Sequence, residues 1–544
     1  MDWSLLIADG LVACKVLLAA VALAFLVSGL DDLFIDIVYA VRAVYRRLFI
    51  TPHHAPLTEQ TLREREEQWI AIMVPAWDES AVIRQMLLNM TAKLEYSNYH
   101  LFVGTYPNDP ATIREVERVR EANLRVHRIS TPHDGPTNKA DCLNWVYQGI
   151  RRCEQDEGLR FEIFVMQDCE DVIHPLCYKI FNHLMPRMDM IQLPVLSLER
   201  QWWKFTAGHY LDEFAQIHYK DLVVREVLDH SLPAAGVGCA FSRKAFECTA
   251  SKQNNELFNT GSLTEDYDFG FRLKELGLRQ VFVKFFTRRP ALRRNPFTGR
   301  ERVVEVRELV GVREYFPHTF RTAVRQKSRW VLGITLQGWA NLGWLHGLST
   351  RYMLWRDRKS LVTNLVNMLG YFIVLVVVSV WAWSALDPQG WHFPALVEEG
   401  SWLTGLLTTN AALLGFRVLQ RGYCVQRLYG WRQALLSFPR AIWGNLINFM
   451  ATARAIRIYA NSLLTGKKIA WDKTQHQYPS EEQLRGSHRK LGDLLLESSM
   501  VSIDQLKDAL AQQRSGPRRL LGLILRDMGV VREDQLLSVL QRQT

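Results

Sequence analysis

The sequence predicts an α/β domain with a mostly parallel sheet, inserted between transmembrane helices and followed by a small, mainly helical repeat domain. Short apolar runs alternate with helical patterns over residues 70–290, as in parallel α/β sheets. Apolar segments long enough to cross a bilayer flank this region on both sides. Residues 489–544 contain two copies of one pattern, offset by 30 residues. The 544 residues therefore form several structural units.

Composition and charge exclude some classes of protein. The net charge of +10 would suit nucleic acid, but Lys and Arg concentrate beside the apolar segments, as on the cytoplasmic flanks of membrane proteins. The sequence has no zinc-finger spacing, long basic tail or RNA-binding signature, so we expect no nucleic-acid partner. Its eight Cys residues are scattered without a C-x-x-C pair, which indicates reduced cytosolic thiols.

Three apolar segments are predicted to cross a lipid bilayer. Leu11–Leu30 is interrupted only by Lys15, Ser360–Leu386 contains no charged residue, and Trp402–Leu419 carries Arg417 near its end. A cleaved signal peptide is the alternative for the first segment. Its basic residues follow the apolar run instead of preceding it, so we predict an uncleaved span.

The distribution of basic residues predicts the topology. Lys and Arg precede the second span and follow the third, whereas the loop Asp387–Ser401 between them has neither. The positive-inside rule then places region 51–359 and the C-terminal tail in the cytoplasm. Ser437–Leu464 is apolar but contains three Arg residues, and a fourth span would export the tail. We therefore expect an amphipathic helix in the membrane interface. The number of transmembrane spans stays open between three and four.

These patterns set the expected domain boundaries. The segments are an N-terminal transmembrane helix and amphipathic linker (1–50), a cytoplasmic α/β domain (51–305), interfacial helices (306–359), two transmembrane helices (360–419), cytoplasmic or interfacial amphipathic helices (420–478), a polar linker (479–488) and a tandem-repeat domain (489–544).

Three predicted strands end beside acidic residues. In open α/β sheets, ligands bind beyond the carboxyl ends of the strands, so these residues predict a site. The oxygen ligands Asp168 and Glu170, or Asp171 in place of the second, suit Mg²⁺ or Mn²⁺, and a solvated acidic turn is the alternative. The strands and the acidic residues that follow them are Ile70–Val74 with Glu79, Leu101–Gly104 with Asp109, and Phe161–Met166 with Asp168, Glu170 and Asp171.

Other candidate residues have a chemical and a structural interpretation. Lys139 is either a cation for a diphosphate or a helix-surface lysine. Glu265 and Asp266 precede a helical pattern, so they either cap a helix or supply a general base that deprotonates a hydroxyl.

The pentapeptide Gln326–Trp330 adds a third group of candidates. Gln326, Arg329 and Trp330 share one helical face because they are spaced i, i+3 and i+4. The face offers an aromatic ring for a sugar, a cation for a diphosphate and an amide that orients both.

In their order along the chain, these motifs resemble those of family 2 glycosyltransferases, especially the processive, membrane-integrated polysaccharide synthases related to cellulose and hyaluronan synthases. The resemblance covers about residues 65–345 and the flanking spans. The matching motifs are V-P-A-W-D-E at Val74–Glu79, Asp109, K-A-x-x-L-N at Lys139–Asn144, D-x-E at Asp168–Glu170, G-x-G-x-x-F at Gly236–Phe241, T-E-D at Thr264–Asp266 and Q-x-x-R-W at Gln326–Trp330.

The resemblance implies a GT-A fold and inverting transfer from a UDP-sugar to a polysaccharide acceptor. By the same resemblance, Asp266 is the base, with Glu265 beside it. Many processive relatives have D-x-D where this chain has Asp168-Cys169-Glu170. The other implied roles are uridine binding by Trp77, Glu79 and Asp109, diphosphate binding by Lys139, metal binding by Asp168 and Glu170, and the junction of diphosphate and acceptor by Gln326, Arg329 and Trp330.

The C-terminal repeat resembles the N-terminal domain of type II secretion and pilus-assembly ATPases, which binds cyclic di-GMP. Two helical hairpins packed together are the structural alternative. Ser499 replaces the Gly of the first copy, and Arg526 occupies an apolar position of the second. The implied ligand residues are Arg489, Lys490, Leu491, Gly492, Leu495, Leu496, Leu506, Leu510 and Gln513 in the first copy, and Arg519, Leu521, Gly522, Leu525, Gly529, Leu536, Leu540 and Gln543 in the second.

A glycosyltransferase with this tail resembles the phage adsorption protein B family. Ser28–Asp36 and Gly466–His476 also fit that family. The resemblance implies an inner-membrane enzyme that makes an amino-sugar polymer, with N-acetylmannosamine as the candidate sugar, an outer-membrane export partner, and use of the product by phage as a receptor. Two alternatives stay open: an enzyme that adds one sugar to a lipid carrier, and a catalytically silent scaffold that senses cyclic di-GMP.

Overall fold

The fold is described from a computed structural model, which covers residues 3–252, 255–294, 301–345, 347–386, 396–467, 469, 476–480, 491–515 and 519–543. The strands are β1 (Ile70–Pro75), β2 (Tyr99–Thr105), β3 (Val126–Ser130), β4 (Ile163–Met166), β5 (Val172–Ile173), β6 (Met190–Gln192), β7 (Val195–Ser197), β8 (Cys239–Ser242), β9 (Gln280–Phe282), β10 (Phe286–Arg294), β11 (Glu301–Leu309) and β12 (Val312–Glu314).

The helices fall into a group around the sheet, a group of long helices and a C-terminal group. They are α1 (Trp3–Tyr45), α2 (Glu59–Glu64), α3 (Ile83–Lys93), α4 (Pro110–Arg120), α5 (Lys139–Glu157), α6 (Cys177–Leu184), α7 (Phe205–Gln216), α8 (Leu222–Asp229), α9 (Arg243–Ala250), α10 (Glu265–Glu275), α11 (Phe320–Trp330), α12 (Gly338–Leu342), α13 (Leu348–Leu386), α14 (Trp402–Tyr429), α15 (Trp431–Thr465), α16 (Leu491–Glu497), α17 (Ile503–Ser515), α18 (Leu521–Asp527) and α19 (Glu533–Gln543).

A seven-stranded sheet in the order β3-β2-β1-β4-β8-β6-β9 forms the centre of the α/β domain. All neighbouring strands are parallel except at β8, which runs antiparallel to both β4 and β6. The mostly parallel sheet predicted from the sequence is therefore confirmed. Two smaller sheets accompany it: β5-β12-β7, and the hairpin of β10 and β11.

Successive side chains of the central strands point to opposite faces of the sheet and pack into two apolar cores, one on each face. In β1, Ile70, Ile72 and Val74 pack into one core, and Ala71 and Met73 pack into the other. All five side chains are fully buried. Strands buried on both faces have nearly continuous apolar sequences, which is why β1, β2 and β4 stand out in the chain.

Three helices in the described part of the chain are long and apolar enough to cross a membrane: Val12–His53, Leu348–Leu386 and Trp402–Tyr429. The predicted spans lie within them or, for Leu11, one residue outside. Helices α1 and α14 continue past the predicted ends, and α13 begins before its predicted start. Charged residues of α1 and α13 in these extensions make ion pairs. Asp31 of α1 pairs with Arg356 and Lys359 of α13.

The same acidic stretch of α1 contacts two more elements. Asp32 pairs with Arg417 of α14 at 2.9 Å, and Asp36 pairs with Lys220 of the α/β domain. These contacts join the long helices to one another and to the α/β domain, so hydropathy alone underestimates their length.

The segment Ser437–Leu464 lies inside α15, which packs against α7, α11, α13 and α14. One face of α15 is buried and includes polar side chains such as Arg440, which is 1% exposed and donates to Asp212 at 2.7 Å. The opposite face exposes Trp431, Leu435 and Ile442. Arg440, one of the three arginines that leave the membrane prediction for this segment ambiguous, thus faces the α/β domain.

The C-terminal helices form two hairpins with equivalent contacts. A Cβ added at Gly492 would lie 3.0 Å from Leu506, and one at Gly522 would lie 3.0 Å from Leu536. Ser499 adopts φ 54° where the second copy has Gly529 at φ 68°. The left-handed backbone conformation explains the preference for Gly at this position, because Gly has no Cβ. Ser499 adopts the same conformation although its Cβ makes it less favourable. Helix α16 lies against strand β10.

Substituting Gly444 with Ala will loosen the packing of α15 on α7. A Cβ at this position would lie 2.1 Å from His209 Nδ1, which is buried and has little room to move. We expect Gly444→Ala to lower the free energy of unfolding by about 1–3 kcal/mol, measured by thermal or denaturant unfolding in detergent. Gly415→Ala in α14 is the control, because nothing lies within 4 Å of its Cβ. Equal losses in both variants would contradict this packing.

Candidate active site

A cavity of about 510 Å³ opens beyond the carboxyl ends of β1 and β4. This is within the usual size of a small-ligand site. The structure brings ten of the eleven predicted catalytic, donor and metal residues to its walls, and Asp109 lies outside the lining. The ten are Trp77, Glu79, Lys139, Asp168, Glu170, Glu265, Asp266, Gln326, Arg329 and Trp330.

Lys139 is the first residue of α5 and is not a surface lysine. Its Nζ lies 2.6 Å from Asp168 Oδ1 and donates to the Gly236 carbonyl at 3.2 Å. Burial lowers the pKa of Lys139, but Asp168, Glu265 and Asp266 outweigh it and the net shift is upward. The ammonium therefore stays charged, at the amino end of a 19-residue helix whose dipole also favours anions.

Glu265 and Asp266 begin α10 with their carboxyl groups in the same buried region. Burial raises the pKa of Asp266, while Lys139 opposes the shift. Burial and the neighbouring Asp266 raise the pKa of Glu265 to about 8, again against the effect of Lys139. Thr264 precedes the helix but makes no side-chain capping hydrogen bond. The two carboxyl groups thus face the cavity with basicity above that of an ordinary carboxylate.

Gly236 makes room for these groups. It has φ +75°, and an added Cβ would lie 2.6 Å from Asp266 Oδ2 and 3.0 Å from Lys139 Nζ. Both the backbone conformation and the close approach require glycine.

The second acidic group follows β4. Asp171 is fully buried, and its Oδ2 accepts hydrogen bonds from Gln167 Nε2 at 2.7 Å and the Asp168 amide at 2.8 Å. Asp168 and Glu170 line the cavity and Asp171 does not. Of the two partners left open for Asp168, Glu170 therefore has the position of a ligand, and Asp171 holds the turn.

Two residues of this site were not found from the sequence. Glu314, the last residue of β12, has a pKa raised well above its ordinary value by burial and then by Glu170 and Asp168. His476 Nδ1 lies 2.9 Å from Glu79 Oε1 and 3.1 Å from Glu170 Oε2. Burial lowers the pKa of His476, but the two glutamates dominate and raise it well above normal.

A divalent cation fits this donor set. Carboxylates of Asp168, Glu170 and Glu314 crowd one wall, where burial and the charges of Glu170 and Asp168 raise the pKa of Glu314. Carboxylate oxygens are the preferred ligands of Mg²⁺ and Mn²⁺, and a dication would offset this accumulation of negative charge.

Trp77 and Glu79 lie in the loop after β1, and Asp109, which follows β2, is hydrogen-bonded to that loop. Asp109 Oδ2 accepts from the Asp78 amide at 2.6 Å, and its Oδ1 accepts from the Thr112 amide at 3.2 Å. Asp109 thus caps α4 and holds the loop that carries the other two residues. Its predicted uridine contact stays a prediction, and its observed contacts are with the backbone.

Gln326, Arg329 and Trp330 lie on α11 as the spacing predicts, and Gln326 Oε1 is buried with no hydrogen-bond partner in the described residues. Trp330 packs against Tyr210, with ring centroids 5.9 Å apart, and against Phe214 at 6.0 Å. The rings fix the indole at the cavity wall.

The rest of the pentapeptide and the turn that follows it anchor this face. Lys327 is buried, pairs with Glu213 of α7 and donates to Asn448 of α15 at 2.9 Å. The π-helical turn Val331–Gln337 follows α11, and a Cβ on its Gly333 would lie 2.6 Å from Thr264. The Q-x-x-R-W face and the Glu265–Asp266 pair are therefore packed together.

The predicted cyclic di-GMP residues are mostly internal to the C-terminal hairpins. Leu495, Leu506, Leu525 and Leu536 are buried against one another. Gln513 Nε2 donates to the Arg519 carbonyl at 2.8 Å. Arg489 and Lys490 lie outside the described residues, as do the side chains of Leu540 and Gln543. The ligand itself stays a prediction.

The fold and the site define a glycosyltransferase with a GT-A-like fold. Residues 163–385 match the family model described as glycosyl transferase family group 2. The chain belongs to the bacteriophage adsorption protein B family: it is 42% identical over 521 residues to bacteriophage adsorption protein B of Escherichia coli K12, across 95% of this chain and 69% of that protein. Bacteriophage N4 adsorption protein B of Escherichia coli O157:H7 has the same identity and coverage.

Solved structures with a related fold have much lower similarity. A mannosyltransferase from Pyrobaculum calidifontis in complex with GDP-Man and Mn²⁺ aligns with a TM-score of 0.46 and 15% identity, over 81% of this chain and 99% of that chain. Glucosyl-3-phosphoglycerate synthase from Mycobacterium tuberculosis with Mn²⁺ and UDP-glucose gives 0.26 and 14%, over 42% and 75%.

Replacing Gly236 with Ala will place a methyl group where the Asp266 carboxylate and the Lys139 ammonium group now lie close together. We expect at least a hundredfold loss of kcat for sugar transfer with the fold retained, because a methyl group displaces both charged groups from their positions. Gly277→Ala is matched for backbone strain, since Gly277 has φ +70° with nothing within 4 Å. Initial-rate kinetics on both variants tests the assignment, and similar rates would contradict it.

Proposed function

We propose that this protein is a membrane-embedded polysaccharide synthase that adds N-acetylhexosamine units from a UDP-sugar to a growing exopolysaccharide. The observation that carries the proposal is one cavity that collects a half-buried lysine, paired acidic groups, and an aromatic and cationic helical face. N-acetylmannosamine is the candidate sugar, on the family resemblance alone. An outer-membrane partner would export the polymer, which phage would use as a receptor.

Each wall of the cavity is assigned one part of the transfer. Asp266 takes the proton of the acceptor hydroxyl, whose oxygen bonds to the anomeric carbon as the bond to the UDP oxygen breaks. Lys139 and Arg329 hold the diphosphate that leaves. Mg²⁺ or Mn²⁺ held by Asp168 and Glu170 would offset the negative charge of that diphosphate. The raised pKa of Asp266 suits a base better than an ordinary carboxylate does.

The acceptor side favours a polymer over a single addition. Trp330 stands at the cavity wall beside Gln326 and is held by other aromatic rings, so it offers a platform for a sugar already joined to the chain. Helix α13, one of the three candidate spans, begins 18 residues after Trp330, at Leu348. The growing chain would leave along these helices, with the α/β domain in the cytoplasm below the inner membrane.

Sugar transfer will depend on Asp266 and on a divalent cation. Membranes that contain the protein are incubated with radiolabelled UDP-N-acetylhexosamines, and polymer is separated by size. We expect polymer from at least one donor, its loss on addition of EDTA, recovery with Mn²⁺ or Mg²⁺, and a loss of about a hundredfold or more in Asp266→Asn. Glu275→Gln, an exposed change on the same helix, is the control. Product of one added sugar would favour the lipid-carrier alternative, and EDTA-resistant synthesis would contradict the metal.

We further propose that cyclic di-GMP bound to the C-terminal repeats regulates synthesis. Two features support communication between the C-terminal helices and the cavity. Helix α16 lies against β10, and the β10–β11 hairpin leads directly into β12, which ends at Glu314 in the cavity wall. His476, also in that wall, lies 15 residues before α16 in the sequence.

Cyclic di-GMP binding will require the first residues of the second repeat. Isothermal titration of the full-length protein in detergent is expected to show binding that weakens about tenfold or more in Arg519→Ala, because Arg binds phosphate and guanine through charge-assisted hydrogen bonds. Arg532→Ala is the control in the same repeat, where the arginine pairs with Asp534 at 3.3 Å. No binding by the unmodified protein would remove the regulatory proposal and leave the synthase proposal intact.

A further inference from the structure

A second cluster of chemically reactive side chains lies at the other end of the α/β domain. His100 is on β2, His127 is on the neighbouring β3, and Cys153 and Glu157 share one face of α5 because they are four residues apart. One ligand atom from each residue lies within 4.8 Å of all the others. Helix α5 runs for 19 residues, about 28 Å, from Lys139 to Glu157, so this cluster is separate from the glycosyltransferase cavity.

We propose that His100, His127, Cys153 and Glu157 form a zinc site. Two imidazole nitrogens, one thiolate and one carboxylate oxygen are a donor set that suits Zn²⁺ better than Mg²⁺ or Mn²⁺. Zn²⁺ bonds of 2.0–2.3 Å in a tetrahedron place donor atoms about 3.3–3.8 Å apart. The observed separations range from 2.7 Å, between His100 Nδ1 and His127 Nε2, to the 4.8 Å limit, so shifts of about an ångström bring all four donors to the metal.

The surroundings hold the two imidazoles in place. The rings of His100 and His127 stack with centroids 4.8 Å apart and 13° between their planes, and the Phe102 ring stacks against His127 with centroids 4.8 Å apart. Trp69 and Phe161 pack edge-on against His100, each with centroids 5.6 Å apart. Ligand side chains fixed by packing lose little entropy when they bind a metal.

Charge and access also fit metal binding. Burial lowers the pKa of His100, and then the charge of His127 lowers it further, while burial also lowers the pKa of His127. Both rings are therefore neutral and able to coordinate. Burial and Glu157 keep Cys153 protonated, so the thiol proton is released to solvent when Zn²⁺ binds. A cavity of about 790 Å³ borders His127, Cys153 and Glu157 and provides the entry path.

A zinc ion bound here would link the edge of the sheet, at β2 and β3, to the carboxyl end of α5. With four protein ligands it has the character of a structural zinc site, which stabilises the fold and leaves no position for substrate. Because Lys139 begins the same helix, fixing α5 against β2 and β3 also fixes the lysine at the other end.

Metal analysis of the full-length protein in detergent tests the site. After dialysis against a weak chelator, we expect about one zinc per chain, loss of that zinc in Cys153→Ser and in the exposed Glu157→Gln, and its retention in the controls Cys248→Ser and Asp156→Asn. Retention in Asp168→Asn will show that the zinc is not in the glycosyltransferase cavity. Cobalt added in place of zinc is expected to give a thiolate charge-transfer absorption that Cys153→Ser lacks.

A stability measurement extends the test. Removing zinc with a strong chelator is expected to lower the melting temperature of the unmodified protein and to leave that of Cys153→Ser unchanged. If the unmodified protein retains no more zinc than Cys153→Ser and gives no cobalt–thiolate absorption, the site does not exist. Since neither readout uses sugar transfer, failure of this proposal is distinguishable from failure of the proposed synthase.

Discussion

One half-buried ammonium group among carboxylates determines the geometry of the candidate active site. Lys139 Nζ lies 2.6 Å from Asp168 Oδ1, and its charge also stabilises the negative forms of Glu265 and Asp266. Burying an unpaired charge is expensive, so removing this lysine would leave several acidic groups repelling one another away from water. The three segments that carry these residues, the turn after β4, α5 and α10, therefore have to meet at one point.

The helix that carries Gln326 and Trp330 connects this point to the long helices. Lys327, between them in the sequence, pairs with Glu213 and bonds Asn448 of α15. The turn after the helix packs Gly333 against Thr264, directly before the acidic pair. Movement of the long helices relative to the sheet would consequently displace the Gln326–Trp330 face and the Glu265–Asp266 pair together.

Local patterns in the sequence predicted the parallel sheet, the acidic strand ends and the face of Gln326 and Trp330, because each depends on spacing within one element. Contacts between distant segments were not predictable in this way. Glu314 ends a three-residue strand that is too short to show periodicity, and His476 reaches Glu79 across 397 residues. The capping role of Asp109 likewise depends on a loop from another strand. Hydropathy ended the first span near Leu30 because it counts charges without seeing the ion pairs that neutralise them.

We propose that this cavity holds the nucleotide diphosphate of the sugar donor between Lys139 and a metal. A cryo-electron microscopy structure of the full-length protein with UDP and Mn²⁺ tests it most directly. We predict metal density against Asp168 and Glu170, with the diphosphate within hydrogen-bonding distance of Lys139 or Arg329 and the uracil beside Trp77. Nucleotide bound at another surface, or a filled cavity with no metal beside these two carboxylates, would contradict the account.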